Sequence, residues 1–171
     1  MNLTKDQKEF WDFDFEEMGV YDVPAVTDFI LAKTGHSKLA AYIGHSEGTT
    51  EFFIGASLDP DYFEQKVNIF IALAPVVRLD HSPKELLVWA AQHNGVLPPL
   101  VQATGAYDLL PHNYIMEAFY ANLCEAAPHV CEKLDEGFFD WNDTIDNADR
   151  YASKMAHSPQ GCGWRNLEHY A

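Results

Sequence analysis

The sequence is poor in basic residues: 11 Lys and Arg stand against 26 Asp and Glu, a formal charge of −15 over 171 residues. Nucleic-acid binding rewards clustered Lys and Arg, so this balance argues against it. It argues equally against charge-driven docking on anionic lipid. Long apolar runs are also missing. The longest, Ile69 to Val77, has 9 residues including Pro75, whereas a membrane-spanning helix needs about 20. The first residues, Met1 to Gln7, lack the apolar stretch of a signal peptide. Three cysteines do not make a disulfide framework. No CxxC or HExxH pattern points to zinc, and no motif points to a cofactor. Internal repeats and low-complexity segments are absent as well. What remains is 47 % hydrophobic and 13 % aromatic, enough for a core in a chain of one-domain length.

The pattern along the chain predicts an α/β fold. A helix is expected after Asp22, with Asp22 as N-cap, Pro24 tolerated in the first turn and Gly35 as C-cap. Val26, Phe29 and Ile30 are spaced to share its buried face. The run Leu39 to Ile43 has no alternation and reads as a strand buried on both faces, as in a parallel sheet. Thr49 to Ser57 reads as a helix, and Val67 to Ala74 as a second buried strand stopped by Pro75. Helix, strand, turn, helix, strand is the alternation of a parallel α/β sheet. Beyond Arg78 the reading is helical: Pro83 to Asn94, Asn113 to Cys124 and Thr144 to Met155, with Pro98-Pro99 breaking the chain between the first two. No strand is expected there. The aromatics Phe10, Trp11, Phe13 and Phe15 read as a half-buried extended segment.

Between the first strand and the following helix stands Gly44-His45-Ser46-Glu47-Gly48. This matches Gly-x-Ser-x-Gly, the nucleophile elbow, in the strand–turn–helix context that the motif requires. There the serine sits in a crowded turn, and glycines on either side remove Cβ atoms so that strand and helix can approach. Ser46 is the candidate nucleophile for an acyl carbonyl, and the backbone N–H of Glu47 the candidate oxyanion donor. His45 adjoins the serine but points elsewhere at such a turn. A packing or hydrogen-bonding role is expected for it rather than that of base.

Several segments together resemble the acid lipases, the family of gastric and lysosomal acid lipase. They are Phe10-Trp11-Asp12-Phe13-Asp14-Phe15-Glu16-Glu17-Met18, Tyr21-Asp22-Val23-Pro24-Ala25, Gly44-His45-Ser46-Glu47-Gly48-Thr49-Thr50 and Ala72-Leu73-Ala74-Pro75-Val76. His157-Ser158-Pro159-Gln160-Gly161 and Leu167-Glu168-His169-Tyr170 continue the likeness to the end. The resemblance implies part of an α/β-hydrolase with a mostly helical cap, cleaving neutral lipid esters such as triacylglycerols or steryl esters, secreted or lysosomal, and touching lipid surfaces transiently through the cap. It divides the chain into a partial hydrolase core with the elbow (1–77), a cap region (78–156) and a return segment toward the core (157–171). It also raises the expectation of a Cys124–Cys131 bridge. Spacing alone leaves that pair open between a bridge, once Pro128 breaks the helix, and two buried thiols. Cys162 stays unpaired. Asn142-Asp143-Thr144 is a glycosylation sequon in a polar loop.

Two departures qualify the resemblance. Glu47 stands where the family usually has Gln, which brings a carboxylate next to a developing oxyanion. In the family, the triad Asp and His lie beyond the segments matched here, and a second oxyanion donor lies upstream of Phe10. The chain is therefore expected to be the central piece of such a lipase, inactive alone and poorly soluble. Its histidines at 81, 93, 112, 129, 157 and 169 offer no spacing that selects a substitute base. Two other readings remain: a degenerate lipase retained for lipid binding or assembly, and an acyltransferase or thioesterase built on the same elbow.

Overall fold

A computed structural model describes residues 3–79, 85–93, 95–105, 107–109, 113–138, 142, 145, 147–158 and 160–170. The chain divides into two compact units. One is Asp12–Leu79 with Tyr170; the other is Met1–Trp11 and Asp80–His169 with Ala171.

The first unit opens on a capping box. Asp14 accepts from the Glu16 N–H at 2.8 Å, and the Glu17 carboxylate accepts from the Asp14 N–H at 2.9 Å. This starts α1 (Phe15–Glu17), which runs through a π-helical turn, Met18–Asp22, into α2 (Val23–Thr34). Asp22 is therefore not an N-cap. It is already helical (φ −75°, ψ −45°) and its side chain makes no capping bond. The helical run has begun one segment earlier, and Asp14 satisfies the free N–H groups. Gly35 ends α2 at φ 73°, as expected. The buried stripe of α2 is Val23, Thr27 and Leu31, spaced four apart, while Val26, Phe29 and Ile30 are exposed. The expected face was rotated because composition cannot say which side meets a neighbour.

Strand β1 (Tyr42–His45) leads into α3 (Glu47–Leu58), then α4 (Pro60–Lys66) and β2 (Phe70–Leu73). Helix α4 was not expected. Asp59 caps it, accepting from the Tyr62 N–H at 3.1 Å, and Pro60 sits in its first turn, where a missing N–H costs nothing. The strands pair in parallel, Tyr42 opposite Phe70 and His45 opposite Leu73. Tyr42 and Phe70 pack on a core of Val23, Phe52, Phe63 and Val67. The opposite face, with Ile43, Ile71 and Leu73, is exposed. Burial on both faces, expected from the unbroken apolar runs, is thus met on one face only among the described residues. Helix α3 crosses the π turn so closely that a Cβ on Gly19 would strike the Glu51 carbonyl and one on Gly55 would lie 2.6 Å from the Gly19 carbonyl.

Among its described residues, the second unit is helical apart from one short ribbon and the turns between elements. A 3-10 turn, Lys8–Trp11, buries Trp11, whose indole N–H donates to the Lys5 carbonyl at 2.7 Å. The extended segment expected over Phe10 to Phe15 is interrupted at both ends: Phe10 and Trp11 lie in the 3-10 turn and Phe15 starts α1, while Asp14 between them is extended (φ −137°, ψ −175°). Helices α5 (Glu85–Gln92) and α6 (Leu97–Gln102) follow. Pro98-Pro99 does not break the chain; both prolines lie in the first turn of α6, where proline is tolerated. Strand β3 (Asp108–Leu109) precedes α7 (Tyr114–Ala126) and α8 (Pro128–Phe138). After a 3-10 turn at Ala148–Arg150 come α9 (Tyr151–Met155), β4 (Cys162–Gly163) and α10 (Trp164–His169). Strands β3 and β4 pair antiparallel, a ribbon too short to leave a pattern in the sequence. Cys124 and Cys131 form a disulfide across the α7–α8 break, and Tyr151, Ala152 and Met155 pack around it. Cys162 is free. Asn142 is exposed; the two following residues of its sequon lie outside the described residues.

Candidate active site

The geometry that matters lies at the C-terminal ends of β1 and β2. Ser46 joins β1 directly to α3 with φ 54° and ψ −121°, a region that side chains rarely enter. Gly44 makes the turn possible. A Cβ there would lie 2.5 Å from the Gly48 carbonyl oxygen and 3.0 Å from the Thr49 nitrogen. Gly48 is different: a Cβ would meet nothing nearer than the Tyr42 hydroxyl at 4.0 Å. Of the two motif glycines, only the first is required by close approach. Glu47 is the first residue of α3, where backbone N–H groups have no intrahelical acceptor and the helix dipole is positive.

A hydrogen-bond frame holds the turn. The Ser46 N–H donates to the Leu73 carbonyl at 3.0 Å, tying the elbow to the neighbouring strand. The Ser46 carbonyl accepts from the Thr49 N–H at 2.9 Å and from the Thr49 hydroxyl at 2.6 Å. The Thr49 hydroxyl in turn accepts from the Val76 N–H at 3.0 Å. Thr50 donates to the Val76 carbonyl at 2.6 Å, and its hydroxyl lies 2.7 Å from that of Tyr170. The Tyr42 hydroxyl donates to the Gly48 carbonyl at 3.1 Å. Burial, with the Glu51 charge second, pushes that phenol up to about 12, so it remains a donor. Residue-by-residue reading missed Thr49, Thr50, Tyr42 and Tyr170. Two threonines in the first turn of a helix, where a hydroxyl can reach the backbone, were the available signal.

Two carboxylates share one side of α3 a turn apart. Burial holds Glu47 above the ordinary carboxylate range, and its Oε1 is buried with no hydrogen-bond partner among the described residues. Glu51 is pushed up to about 6, by burial first and then by the charges of Glu47 and Asp22. The folded chain thus binds these protons more tightly than the unfolded chain, whose carboxyl groups titrate near 4.5. Stability is fully present below that value and falls as pH rises through about 6. Glu51→Gln is expected to raise the melting temperature at pH 7 and flatten its decline between pH 4.5 and 6.5, in thermal melts across that range. A variant with the wild-type pH profile would show that the carboxyl does not feel its neighbours.

Ser46 Oγ has no hydrogen-bond partner among the described residues, so none of them stands as a base on it. His45, at the end of β1, is exposed. His93 stacks on Trp89 and lies 2.8 Å from that residue's carbonyl. His81 and His112 lie outside the described residues. No described helix is long and apolar enough to cross a membrane.

No protein-family model matches the chain. Curated proteins do. Lysosomal acid lipase/cholesteryl ester hydrolase of Macaca fascicularis is 35 % identical over 99 % of this chain. Gastric triacylglycerol lipase of Mus musculus is 34 % identical over 98 % of it, and lipase member K of Homo sapiens 31 % identical over all of it. The chain spans 42 % of the length of each of these relatives.

Proposed function

The chain is a relative of the gastric and lysosomal acid lipases over its whole length, and from that premise we propose that it carries the nucleophile of a serine ester hydrolase acting on neutral lipid esters. The observation that carries this reading is the backbone of Ser46: a non-glycine residue at φ 54° joining a parallel strand to the N-terminus of a helix. Such strain persists where the surrounding structure over-determines it. In this reading the Ser46 oxygen attacks the ester carbonyl carbon, and the carbonyl electrons move onto its oxygen. The Glu47 N–H, at the positive end of α3, donates to that oxyanion. Collapse of the intermediate breaks the bond from the carbonyl carbon to the ester oxygen; the departing alcohol takes up the proton released by the Ser46 hydroxyl, and the acyl group stays on Ser46 for water to remove. Residues 1–77 serve as the partial hydrolase core, 78–156 as the cap region and 157–171 as the return segment, in a secreted or lysosomal setting.

A serine hydroxyl needs a base to become a strong nucleophile, and no described residue hydrogen-bonds to Ser46 Oγ. The 171-residue chain is therefore expected to react slowly with a fluorophosphonate and to turn over short-chain esters little or not at all. Mass spectrometry of the treated chain should find the adduct on the peptide containing Ser46, and Ser46→Ala should abolish it. Adduct formation elsewhere, unchanged by that substitution, would overturn the assignment. Steady turnover by the chain alone would instead show that it holds its own base.

A further inference from the structure

We propose that Thr49 is a positioning residue for Ser46: its hydroxyl joins the strained elbow to the turn that leaves β2, and so fixes the direction of the serine. The inference rests on the reading of Ser46 as nucleophile but goes beyond it, because it concerns how the turn is held. The described residues contain two non-glycine positions with positive φ, Ser46 at 54° and Ala74 at 45°. They follow the C-terminal ends of neighbouring parallel strands, and the Ser46 N–H to Leu73 carbonyl bond links the two exits. Residues in this region are unfavourable by themselves and need outside restraint.

The restraint converges on Thr49. Its side chain is fully buried at 0 % exposure. The hydroxyl gives its proton to the Ser46 carbonyl at 2.6 Å and takes one from the Val76 N–H at 3.0 Å. A hydroxyl is the smallest side-chain group that can donate and accept at once. Thr50 holds the other backbone group of the same residue, donating to the Val76 carbonyl at 2.6 Å. Two successive threonines therefore capture both polar groups of Val76, two residues after the strained Ala74. An aliphatic side chain of the same shape would fill the space and leave the Val76 N–H without that acceptor. Leaving this part-buried donor unmet costs enough to shift a local opening equilibrium by about tenfold.

The test compares Thr49→Val, which keeps the shape, with Thr49→Ser, which keeps the hydroxyl. Two measurements are made on the whole chain: the rate of fluorophosphonate labelling at Ser46, and amide hydrogen exchange residue by residue. Thr49→Val should label at least about tenfold more slowly and exchange the Val76 and Ser46 amides about tenfold faster. The strand and helix amides away from the turn should keep their protection. Thr49→Ser should stay within about threefold of the wild type in both measurements. A uniform loss of protection in Thr49→Val, or a serine variant as impaired as the valine one, would overturn the proposal in favour of plain packing. Wild-type exchange and labelling in Thr49→Val would overturn it outright. Should the wild-type chain not label at all, the nucleophile reading fails, and the exchange contrast alone decides whether Thr49 holds the turn. If Thr49→Val does not fold, Thr50→Val releases the Val76 carbonyl instead; faster exchange confined to the turn would support the clamp, and unchanged exchange there would sink it.

Discussion

Phe52→Ala is expected to destabilise the chain by about 3–5 kcal/mol, the largest loss of any core truncation in the unit that carries Ser46. Phe52 is the centre of that core. Its ring stacks on Phe70 at 4.0 Å and 15°, meets Phe63 edge-on at 5.0 Å and tilts against Tyr42 at 4.9 Å. It therefore links α3 to both strands and to α4. Truncation removes the buried apolar area of a phenyl ring and leaves a cavity that rigid aromatic neighbours cannot close, so transfer and cavity terms add. Against a total stability of roughly 5–15 kcal/mol for a natural domain, this loss brings the unit close to unfolding at 37 °C. The neighbouring residue supplies the contrast. Phe53 is 41 % exposed and keeps one edge contact, to Phe70 at 5.1 Å. Phe53→Ala should cost no more than about 1 kcal/mol. Urea denaturation of both variants, followed by circular dichroism, measures the difference. Equal midpoints would show that the stack on Phe70 does not organise the core.

Some of this arrangement was legible from residues alone. The elbow was, because its requirement is local: a strand run, a short turn with glycine at Gly44, and a helix start fix the backbone of Ser46 wherever they occur together. The C-cap at Gly35 was legible for the same reason. What failed was what depends on a neighbour. Val26, Phe29 and Ile30 make as good a helical stripe as Val23, Thr27 and Leu31, and only the packing of α2 chooses between them. Asp22 looked like a cap because Pro24 follows it, but the capping box of Asp14 and Glu17 had already begun the helix through a π turn that leaves no spacing signature. Ile43 and Ile71 read as buried because parallel strands normally are, yet their face is open among the described residues. The frame around Ser46 was the least legible part. Thr49 and Thr50 are ordinary residues in the first turn of a helix until Val76, 27 and 26 positions later, is brought against them.

Gly44→Ala should remove the elbow while its counterpart, Gly48→Ala, should not, and the two substitutions together isolate the role of close approach. The added Cβ at position 44 would sit 2.5 Å from the Gly48 carbonyl oxygen, 2.8 Å from the Gly48 carbonyl carbon and 3.0 Å from the Thr49 nitrogen. All three are backbone atoms. They belong to the first turn of α3, held by the Tyr42 hydroxyl on the Gly48 carbonyl and by Thr49 on the Ser46 carbonyl. No side chain can rotate away to relieve the contact, so either β1 or α3 must shift. Overpacking of this kind costs about 1–3 kcal/mol, and the displacement falls on Ser46 itself. Labelling at Ser46 should therefore drop by at least about a hundredfold, since a misplacement near 1 Å suffices for that. Gly48 lies within α3 with open space beside it, so alanine there replaces a poor helix former by the best one. It is expected to leave stability unchanged or raise it by up to about 1 kcal/mol. Thermal melts of both variants give the stability contrast, and the fluorophosphonate rate of Gly44→Ala gives the effect on the turn. A Gly44→Ala chain that melts and labels like the wild type would mean that the strand and helix have room to part, and that the tight strand-to-helix turn is not what holds Ser46 in its strained conformation.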